Sequence, residues 1–558
     1  MCLRIYVAGY GDTLRSIASK HETDVHALLA LNSRITDPDQ WIDGTHVRLP
    51  ARANAPRRQL PLPLCPVPDT EYPEHWIPLT SLEDMAQTEY DVLIVGTGAG
   101  GGAAVWRLSE QWGENEKRIG VVEAGDLVLP THGQNIPTFN TARFEQFWHN
   151  PLFLKKIPIA GSFSGPEASL VDGYFSEFIA LGGQSLIWAT TSPRMDDSVL
   201  LHFPVPAQEM ARYYDIAEQT MSVNAMYARE SQLQDILLHR LEKQGFPDAA
   251  DLPMAVDLNR SDYGLVHSNV FFSSLHFLAM AMNRRQIDLA VNARAVRVEV
   301  EKERAVGVQV MSADKQLHLI KAKTVILAAG TFETPRILLS SDIEGRAIGH
   351  YLVHHSMLSA AGTVSRKEFP ENLGVAGILI PSANSRPYQI KIQGPGSYFW
   401  YQFKEVPLRE HWDIYLHATG QVQPRYENRV MLDRSKTDEF GLPGLLVQFS
   451  YSREDTAVIL QMSQGIQYAA SAMKTAVTVN GGKLPYGFPG QEFHSMGTCR
   501  MGFDPDTSGT DPYGRVHGVS GLYVADNSIL PASGGTSPTL TTVALAIRTA
   551  DDIVEKMD

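Results

Sequence analysis

Cysteine is scarce in this chain: three among 558 residues, Cys2, Cys65 and Cys499, odd in number and far apart. That excludes a disulfide framework and the close ligand spacing of a zinc site. Basic residues are also short, 48 Lys and Arg against 62 Asp and Glu, for a formal net charge of −14. A field of that sign argues against a nucleic-acid or anionic-membrane surface. No apolar run approaches the roughly 18 residues of a membrane span. A Sec leader is not expected, since Met1-Cys-Leu-Arg-Ile-Tyr-Val goes directly into folded-looking sequence without an extended apolar stretch. Arg57-Arg58 lies among prolines with no apolar segment behind it, so it does not read as a twin-arginine leader. A cytoplasmic location is the default expectation, with the cell envelope or a non-Sec export route as the alternative. Internal repeats and low-complexity tracts are lacking too. The remaining composition, 44% hydrophobic and 20% charged, is that of an ordinary soluble globular protein, long enough for more than one domain.

The stretch that organises the chain is Asp91-Val-Leu-Ile-Val-Gly96-Thr-Gly98-Ala-Gly100-Gly101-Gly102-Ala-Ala-Val. Four apolar β-formers run into a glycine cluster, and apolar residues at helical spacing follow, which predicts strand, tight turn, helix. Gly96, Gly98 and Gly101 fit G-x-G-x-x-G: one glycine for the turn, one for close approach of a pyrophosphate, one for helix packing on strand. With 44 glycines in the chain such a motif alone is weak. A second apolar strand, Ile119-Gly-Val-Val122, strengthens it by ending on Glu123, 27 positions past Gly96. An acid there accepts hydrogen bonds from both hydroxyls of an adenosine ribose and repels a 2′-phosphate, so an adenine dinucleotide is expected and NADP disfavoured.

Residues 1–50 read as a separate β-α-α-β unit, with Asp12 and Asp24 as the expected helix caps. Seven prolines between Pro56 and Pro78 predict an extended linker over 51–78. Ser81-Leu-Glu-Asp-Met-Ala predicts a short helix before the nucleotide strand. At Gly182-Gly183-Gln184-Ser185-Leu-Ile187-Trp188 two glycines precede small polar and aromatic residues, as backbone laid against a flat ligand requires, although a plain turn reads equally well. Residues 205–280 have helical spacing, 296–301 and 305–310 alternate like a hairpin, and 324–330 is a buried strand leading to a helix with Pro335 near its start. Residues 350–490 read as an antiparallel sheet with helices on one face, one of them over 457–475. The last informative segments are His494-Ser-Met-Gly-Thr-Cys-Arg-Met-Gly502, Leu522-Tyr-Val-Ala-Asp526-Asn527 and Ser537-Pro538-Thr539-Leu-Thr-Thr-Val.

Those motifs, taken in order, resemble the glucose-methanol-choline (GMC) family of flavin oxidoreductases over most of 79–558. Gly-Gly-Gln-Ser-Leu-Ile-Trp-Ala-Thr is most similar to its pyranose-oxidase branch, whose members oxidise a sugar carbinol. Tyr6-Val, Tyr10-Gly11-Asp12-Thr13-Leu14, Ile17-Ala18, Leu28, Asn32 and Gly44-x-x-Val47-x-Leu49-Pro50 resemble the LysM module. The implied fold is α/β: an FAD-binding Rossmann-like domain interleaved with an antiparallel-sheet substrate domain, plus a small LysM-like N-terminal domain. The expected boundaries are 1–50 for the module, 51–78 for the linker, 79–345 for the FAD-binding domain with inserted helices, 346–490 for the substrate domain and 491–558 for a C-terminal FAD-binding and catalytic segment.

The resemblance further implies that FAD is held at Gly96, Gly98, Gly101, Glu123, Gly183, Ser185, Trp188, Asp526, Pro538 and Thr539. In pyranose oxidases a histidine before the tryptophan of the Gly-Gly segment carries the covalent flavin bond. Ile187 stands there in this chain, so non-covalent FAD is expected. His494 is the expected base, since an imidazole of ordinary pKa near 6.5 suits removal of a hydroxyl proton at neutral pH. Across the site the family places a second His or Asn, where this chain has Ser537, too short and too weakly basic for the same role. His517 has no matching role and reads as structural. The expected activity is oxidation of a CH–OH group of a sugar or related alcohol by hydride transfer to flavin N5. A dehydrogenase using a quinone-type acceptor, and a glycan-binding protein with a degenerate flavin domain, are the alternatives. The LysM-like unit is expected to bind peptidoglycan or a chitin-like glycan near Gly11, Asp12, Thr13 and the Asn32 loop, unless it serves only as a spacer or docking unit. Nucleic acid and a membrane span are not expected.

Overall fold

The computed structural model describes residues 4–9, 11–42, 44–50, 77–136, 139, 141–160, 174–258, 270–370, 374–394, 410–477 and 493–557. The proline-rich linker lies outside these for all of 51–76.

The N-terminal unit is built from β1 (Arg4–Val7), α1 (Leu14–Lys20), α2 (Val25–Leu31) and β2 (His46–Leu49). The two strands pair antiparallel, Arg4 opposite Leu49, and Leu14, Ile17, Leu28 and Val47 fill the small core. Asp24 caps α2 by accepting from the Ala27 N–H. The cap of α1 is Thr13 and not Asp12: Thr13 and Ser16 exchange side-chain to backbone bonds in a capping box. Asp12 instead accepts from the Tyr6 hydroxyl at 2.7 Å and the Gly9 N–H at 2.8 Å, fastening β1 to its turn. Asn32 is buried, its amide bridging Leu28 and both backbone groups of Arg48.

The short helix α3 (Leu82–Ala86), capped by Ser81, leads into β3 (Glu89–Val95), α4 (Ala99–Trp112) and β4 (Ile119–Val122). Strands β3 and β4 are parallel, with Val92 opposite Ile119, so this is a βαβ unit. The sheet continues through β5 (Arg294–Glu301), β6 (Arg304–Met311) and β7 (Leu317–Leu327) in the order Asp288–Ala290, β4, β3, β7, β6, β5. The strand Leu522–Val524 joins β7 in parallel near the chain's end. Strand β7 alternates exposed and buried residues along its first half and is buried throughout its second. The change follows its neighbours: an antiparallel hairpin along 317–321, parallel strands on both sides along 325–327.

After β7 comes α5 (Gly330–Ser340), which contains Pro335 as its sixth residue instead of near its start. A proline there leaves the carbonyl of the residue four before it, Thr331, without a helical donor. The Thr498 hydroxyl supplies one at 2.6 Å.

The second body is a sheet of β8 (Ser356–Ser365), β9 (Ala376–Ile380), β10 (Tyr388–Gly394) and β11 (His411–Gly420), ordered Ala476–Val477, β8, β11, β10, β9, Ala250–Asp251, with every pair antiparallel. Ile390, Ile392, Ile414 and Leu416 pack against Met462 and Ile466 of α6 (Arg453–Met473) and Leu237 of Gln232–Lys243. Helix α6 starts four residues before the position expected from apolar periodicity, because its first turn, Arg453-Glu454-Asp455, is charged and is set by the Ser452–Asp455 capping box. Two segments cross the expected boundary at 345/346. Ala250–Asp251 is a strand of the substrate sheet and the helix Gln232–Lys243 packs on it, while Arg429–Thr437 and Pro443–Gln448 form a four-stranded sheet with Leu154–Ala160 and Tyr174–Phe178. Val430 and Val447 of that sheet sit in the nucleotide-domain core. The chain closes with α7 (Thr539–Met557), packed on α4.

A Cβ on Gly101 would overlap the Gly96 carbonyl oxygen, whereas one on Gly98 would meet nothing within 4 Å. Gly101→Ala is therefore expected to lower the unfolding free energy by about 1–3 kcal/mol, and Gly98→Ala to leave it within about 0.5 kcal/mol. Urea denaturation of both variants checks the contrast.

Candidate active site

One cavity of about 480 Å³ runs between the two bodies. Its floor is made by the carboxyl ends of parallel strands: Gly96 after β3, Glu123 after β4, Ala328-Ala329-Gly330 after β7 and Asp526 just past Leu522–Val524. That is where an open α/β sheet binds its ligand.

Gly96 has φ +96°, and a Cβ there would overlap the Ala328 carbonyl, so the first turn needs glycine. Gly98 is the N-cap of α4 and makes no side-chain cap bond, so the helix presents N–H groups and the positive end of its dipole to the cavity. The start of α7 also borders the cavity, through Thr539 and Thr542. Gly183 and Ser185 lie on the opposite wall. Gly182 and Gly183 have positive φ, and Ser185 donates to the Gly182 carbonyl at 2.6 Å while accepting from the Ser274 N–H at 2.7 Å. Trp188 is pinned by its indole N–H on the Phe272 carbonyl and by His132 Nε2 on its own carbonyl.

Glu123 is buried and accepts from the Thr97 N–H and hydroxyl and from the Gly125 N–H. Burial outweighs these three donors and pushes its pKa up. A carboxylate offers about four lone-pair sites, so about one remains for a ribose hydroxyl instead of the two expected. Asp526 is similarly engaged by Gly330 N–H, the Thr334 hydroxyl and Ser528 N–H, and ties α5 to the last strand.

At the far end the cavity is lined by Phe493, His494, Ser537, Lys391, Gln393 and His417. His494 Nδ1 lies 3.1 Å from His355 Nδ1, and His355 Nε2 lies 3.2 Å from the Ser533 carbonyl. A carbonyl only accepts, so His355 carries its proton on Nε2 and accepts at Nδ1. His494 then donates from Nδ1 and keeps Nε2 as its acceptor nitrogen. Burial, then His355, Lys391 and His354, hold the His494 pKa well below the ordinary histidine value.

Of the residues expected from sequence, Gly96, Gly98, Glu123, Gly183, Ser185, Trp188, His494, Asp526, Ser537 and Thr539 line this one cavity, as does Ile187. Gly101 and Pro538 do not. Gly101 packs helix on turn, and the Pro538 carbonyl accepts the Thr542 N–H in the first turn of α7. His517 bonds Ser508 at 2.9 Å, away from the cavity. His355, Lys391, Gln393 and His417 were not foreseen. The alternation Gln389-Ile-Lys391-Ile-Gln393 was the available signal for two of them; nothing local marks His355.

Family models carry the comparison further. GMC oxidoreductase models match residues 164–357 and 424–546, together more than half of the chain, and a LysM domain model matches residues 6–43. The chain belongs to the GMC oxidoreductase family. It carries a LysM domain at its N-terminus and is an FAD oxidoreductase of CH–OH donors. Among its relatives is the C-glycoside 3-oxidase of Arthrobacter globiformis, 26% identical over 410 residues, 68% of this chain and 74% of that one. The pyranose 2-oxidase of Tricholoma matsutake is 23% identical over 67% of this chain and 72% of its own. A formate oxidase structure from Aspergillus oryzae shares the fold with TM-score 0.61 at 16% identity, covering 84% of this chain and 98% of that one. The GMC cavity fits FAD: Gly98 leaves an opening without a Cβ, two helix N-termini border the cavity where they would meet phosphates, and the Glu123 carboxylate would meet the adenosine. Among the described residues no group of His, Cys, Asp and Glu could hold a metal ion.

Burial lowers the pKa of His132 to about 3, of His354 to about 3 and of His355 and His417 to about 4. A folded pKa below the unfolded one means that the unfolded chain binds more protons as pH falls. The resulting stability is full above pH 6.5 and is lost on acidification towards pH 3–4. His132 alone is worth about 2 kcal/mol between pH 7 and pH 5. Urea midpoints measured across that range should fall steeply, and a flat profile would contradict the buried neutral histidines.

Proposed function

We propose that this GMC oxidoreductase oxidises a CH–OH group of a sugar or related polyol, with His494 as the base that takes the hydroxyl proton. The observation that supports it is the Ser533–His355–His494 chain, which leaves the acceptor nitrogen of His494 in a cavity that also carries the nucleotide-binding turn. FAD, when bound, supplies the hydride acceptor at N5. His494 receives the proton at Nε2, and His355, anchored on Ser533, fixes the ring's tautomer and tilt. Ser537 is a short hydroxyl at the place where the family has a second His or Asn, and it holds the substrate hydroxyl through water. The two bodies exclude solvent around the reacting carbon. O₂ is taken as the electron acceptor by analogy with the two oxidases, with a quinone-type acceptor as the alternative because dehydrogenases are also among the relatives. Ile187 offers no nucleophile, so FAD is held without a covalent bond.

Anaerobic mixing with a panel of pyranoses tests this. The bound flavin should bleach, and His494→Ala should slow bleaching by about 10²–10⁴-fold while retaining the yellow colour. Because the His494 pKa is depressed, the base form persists below neutrality, and the acid limb of kcat/KM should lie below pH 6.5. Acid precipitation should release all flavin to the supernatant. Reoxidation in air slower than turnover with a quinone would overturn the oxidase reading.

The LysM domain is proposed to bind an N-acetylglucosamine-containing glycan. A shallow groove bounded by Arg34, Ile35, Gln40, Trp41, Ile42 and Thr45, with Trp41 largely exposed, supports this. The full chain should co-sediment with insoluble peptidoglycan or chitin, and a chain lacking residues 1–50 should remain in solution. Equal sedimentation of the two would reduce the module to a docking unit.

A further inference from the structure

The substrate sheet turns one face to α6 and the other to the cavity. On the cavity face of β10 stand Gln389, Lys391 and Gln393, two residues apart, and across the ladder on β11 stand Thr419, His417 and Tyr415 in register with them. Ser359 of β8 lies opposite His417 and bonds its Nδ1 at 2.9 Å. The intervening residues Ile390, Ile392, Leu416 and Ala418 face the helices, so the polar row is a property of the strand's period and not of one stray side chain.

Lys391, Gln393 and His417 line the same cavity as His494. Lys391 and Gln393 are more than nine-tenths buried, and the Gln393 amide nitrogen is buried with no hydrogen-bond partner among the described residues. An unmet buried amide is costly and is retained where a ligand supplies the acceptor. The charge inventory of the cavity is lopsided in the same direction. Among the described residues its carboxylates, Glu123, Asp526, Glu177 and Glu333, are all engaged at the nucleotide end, and Arg294 is paired there with Glu333. Among the described lining residues Lys391 is the basic side chain at the reaction end, and its charge adds to burial in depressing the pKa of His355, His417 and His494.

We propose that Lys391, Gln393 and His417 form a subsite for an oxyanion on the substrate, so that this enzyme oxidises an acidic sugar bearing a carboxylate or a phosphate in preference to a neutral one. The inference rests on the sugar-oxidising reading above. An ammonium carries three N–H donors and an amide two, so a group that only accepts can bond the unmet Gln393 amide and a further N–H of Lys391 without exposing a competing proton. In a chain of net charge −14 a local cation is also what an anionic substrate needs to enter.

The test uses the full-length FAD-loaded protein with three matched probes: glucose, glucuronate and glucose 6-phosphate. Anaerobic flavin bleaching gives the kinetics, and titration calorimetry gives binding. Wild type should favour at least one acidic probe over glucose by tenfold or more in kcat/KM. A carboxylate and a phosphate ester are told apart by which probe gains. Lys391→Met should collapse that acid-to-neutral ratio by at least tenfold, Lys391→Arg should largely retain it, and Gln393→Glu, which puts a carboxylate in the subsite, should lower it. The ratio is insensitive to a general loss of activity. The wild-type comparison also stands if a variant fails to fold. Bleaching by glucose with an equal or weaker response to both acids overturns the subsite and leaves the sugar oxidase intact. No bleaching by any pyranose overturns the underlying function.

Discussion

Backbone packed directly on backbone is the constraint from which the catalytic body follows. A Cβ at Gly96 would overlap the Ala328 carbonyl, one at Gly100 the Ala525 carbonyl and one at Gly101 the Gly96 carbonyl. Three strand ends, from β3, β7 and Leu522–Val524, are thereby drawn up to the first turns of α4. Because the last of these strands comes more than 400 residues after the first, the nucleotide crevice is complete only when the far end of the chain has docked. The same docking brings in α7 with its N-terminus at the cavity and the 533–537 loop beside His355. Cofactor floor and catalytic end are assembled by one set of close approaches.

This explains what could be read from the sequence and what could not. The βαβ turn, the hairpin of β5 and β6 and the buried end of β7 depend on local period and glycine placement, and each is written within some thirty residues. The site's cofactor half was legible for the same reason. The place of His494, the proposed base, in the cavity was legible through its motif, but its partner was not, because His355 reaches His494 only through the pairing of Val353–His354 with Ser495–Met496. The substrate row on β10 and β11 is set by strand register, which a one-residue slip would turn inside out. Helix caps failed where two acceptors were adjacent: Asp12 and Thr13 both suit an N-cap, and the choice fell to the residue that leaves Leu14 and Ile17 inside. The domain boundaries were expected to be single cuts, but sheet pairing between residues near 160 and near 445 makes the two bodies share strands of chain.

Burying histidines at the reaction end has two consequences that pull in opposite directions. Withdrawal from water, reinforced by the Lys391 charge, keeps His494 unprotonated at neutral pH, which a base requires. The same environment makes its protonated form costly, so a lone imidazole there would accept a proton poorly. The chain through His355 to the Ser533 carbonyl offsets part of that cost, since the hydrogen bond donated from Nδ1 strengthens as the ring gains charge. An oxyanion held at Lys391 would act in the same sense by neutralising the nearest positive charge. Substrate charge and base strength are thus coupled through a few ångströms of low-dielectric interior.

The position of the LysM domain bears on how glycan binding relates to catalysis. Arg34, on the rim of its groove, donates to the Pro370 carbonyl. Pro370 follows the end of β8 at Ser365, whereas the beginning of β8 at Ser356 adjoins His355. Ten residues of strand span roughly 33 Å, so the groove lies at the opposite end of the substrate sheet from the base. A monosaccharide bound there is far out of reach of His494. If the module binds glycan as proposed, at that distance it would act as a tether that holds the enzyme at a glycan surface and not as part of the reaction site.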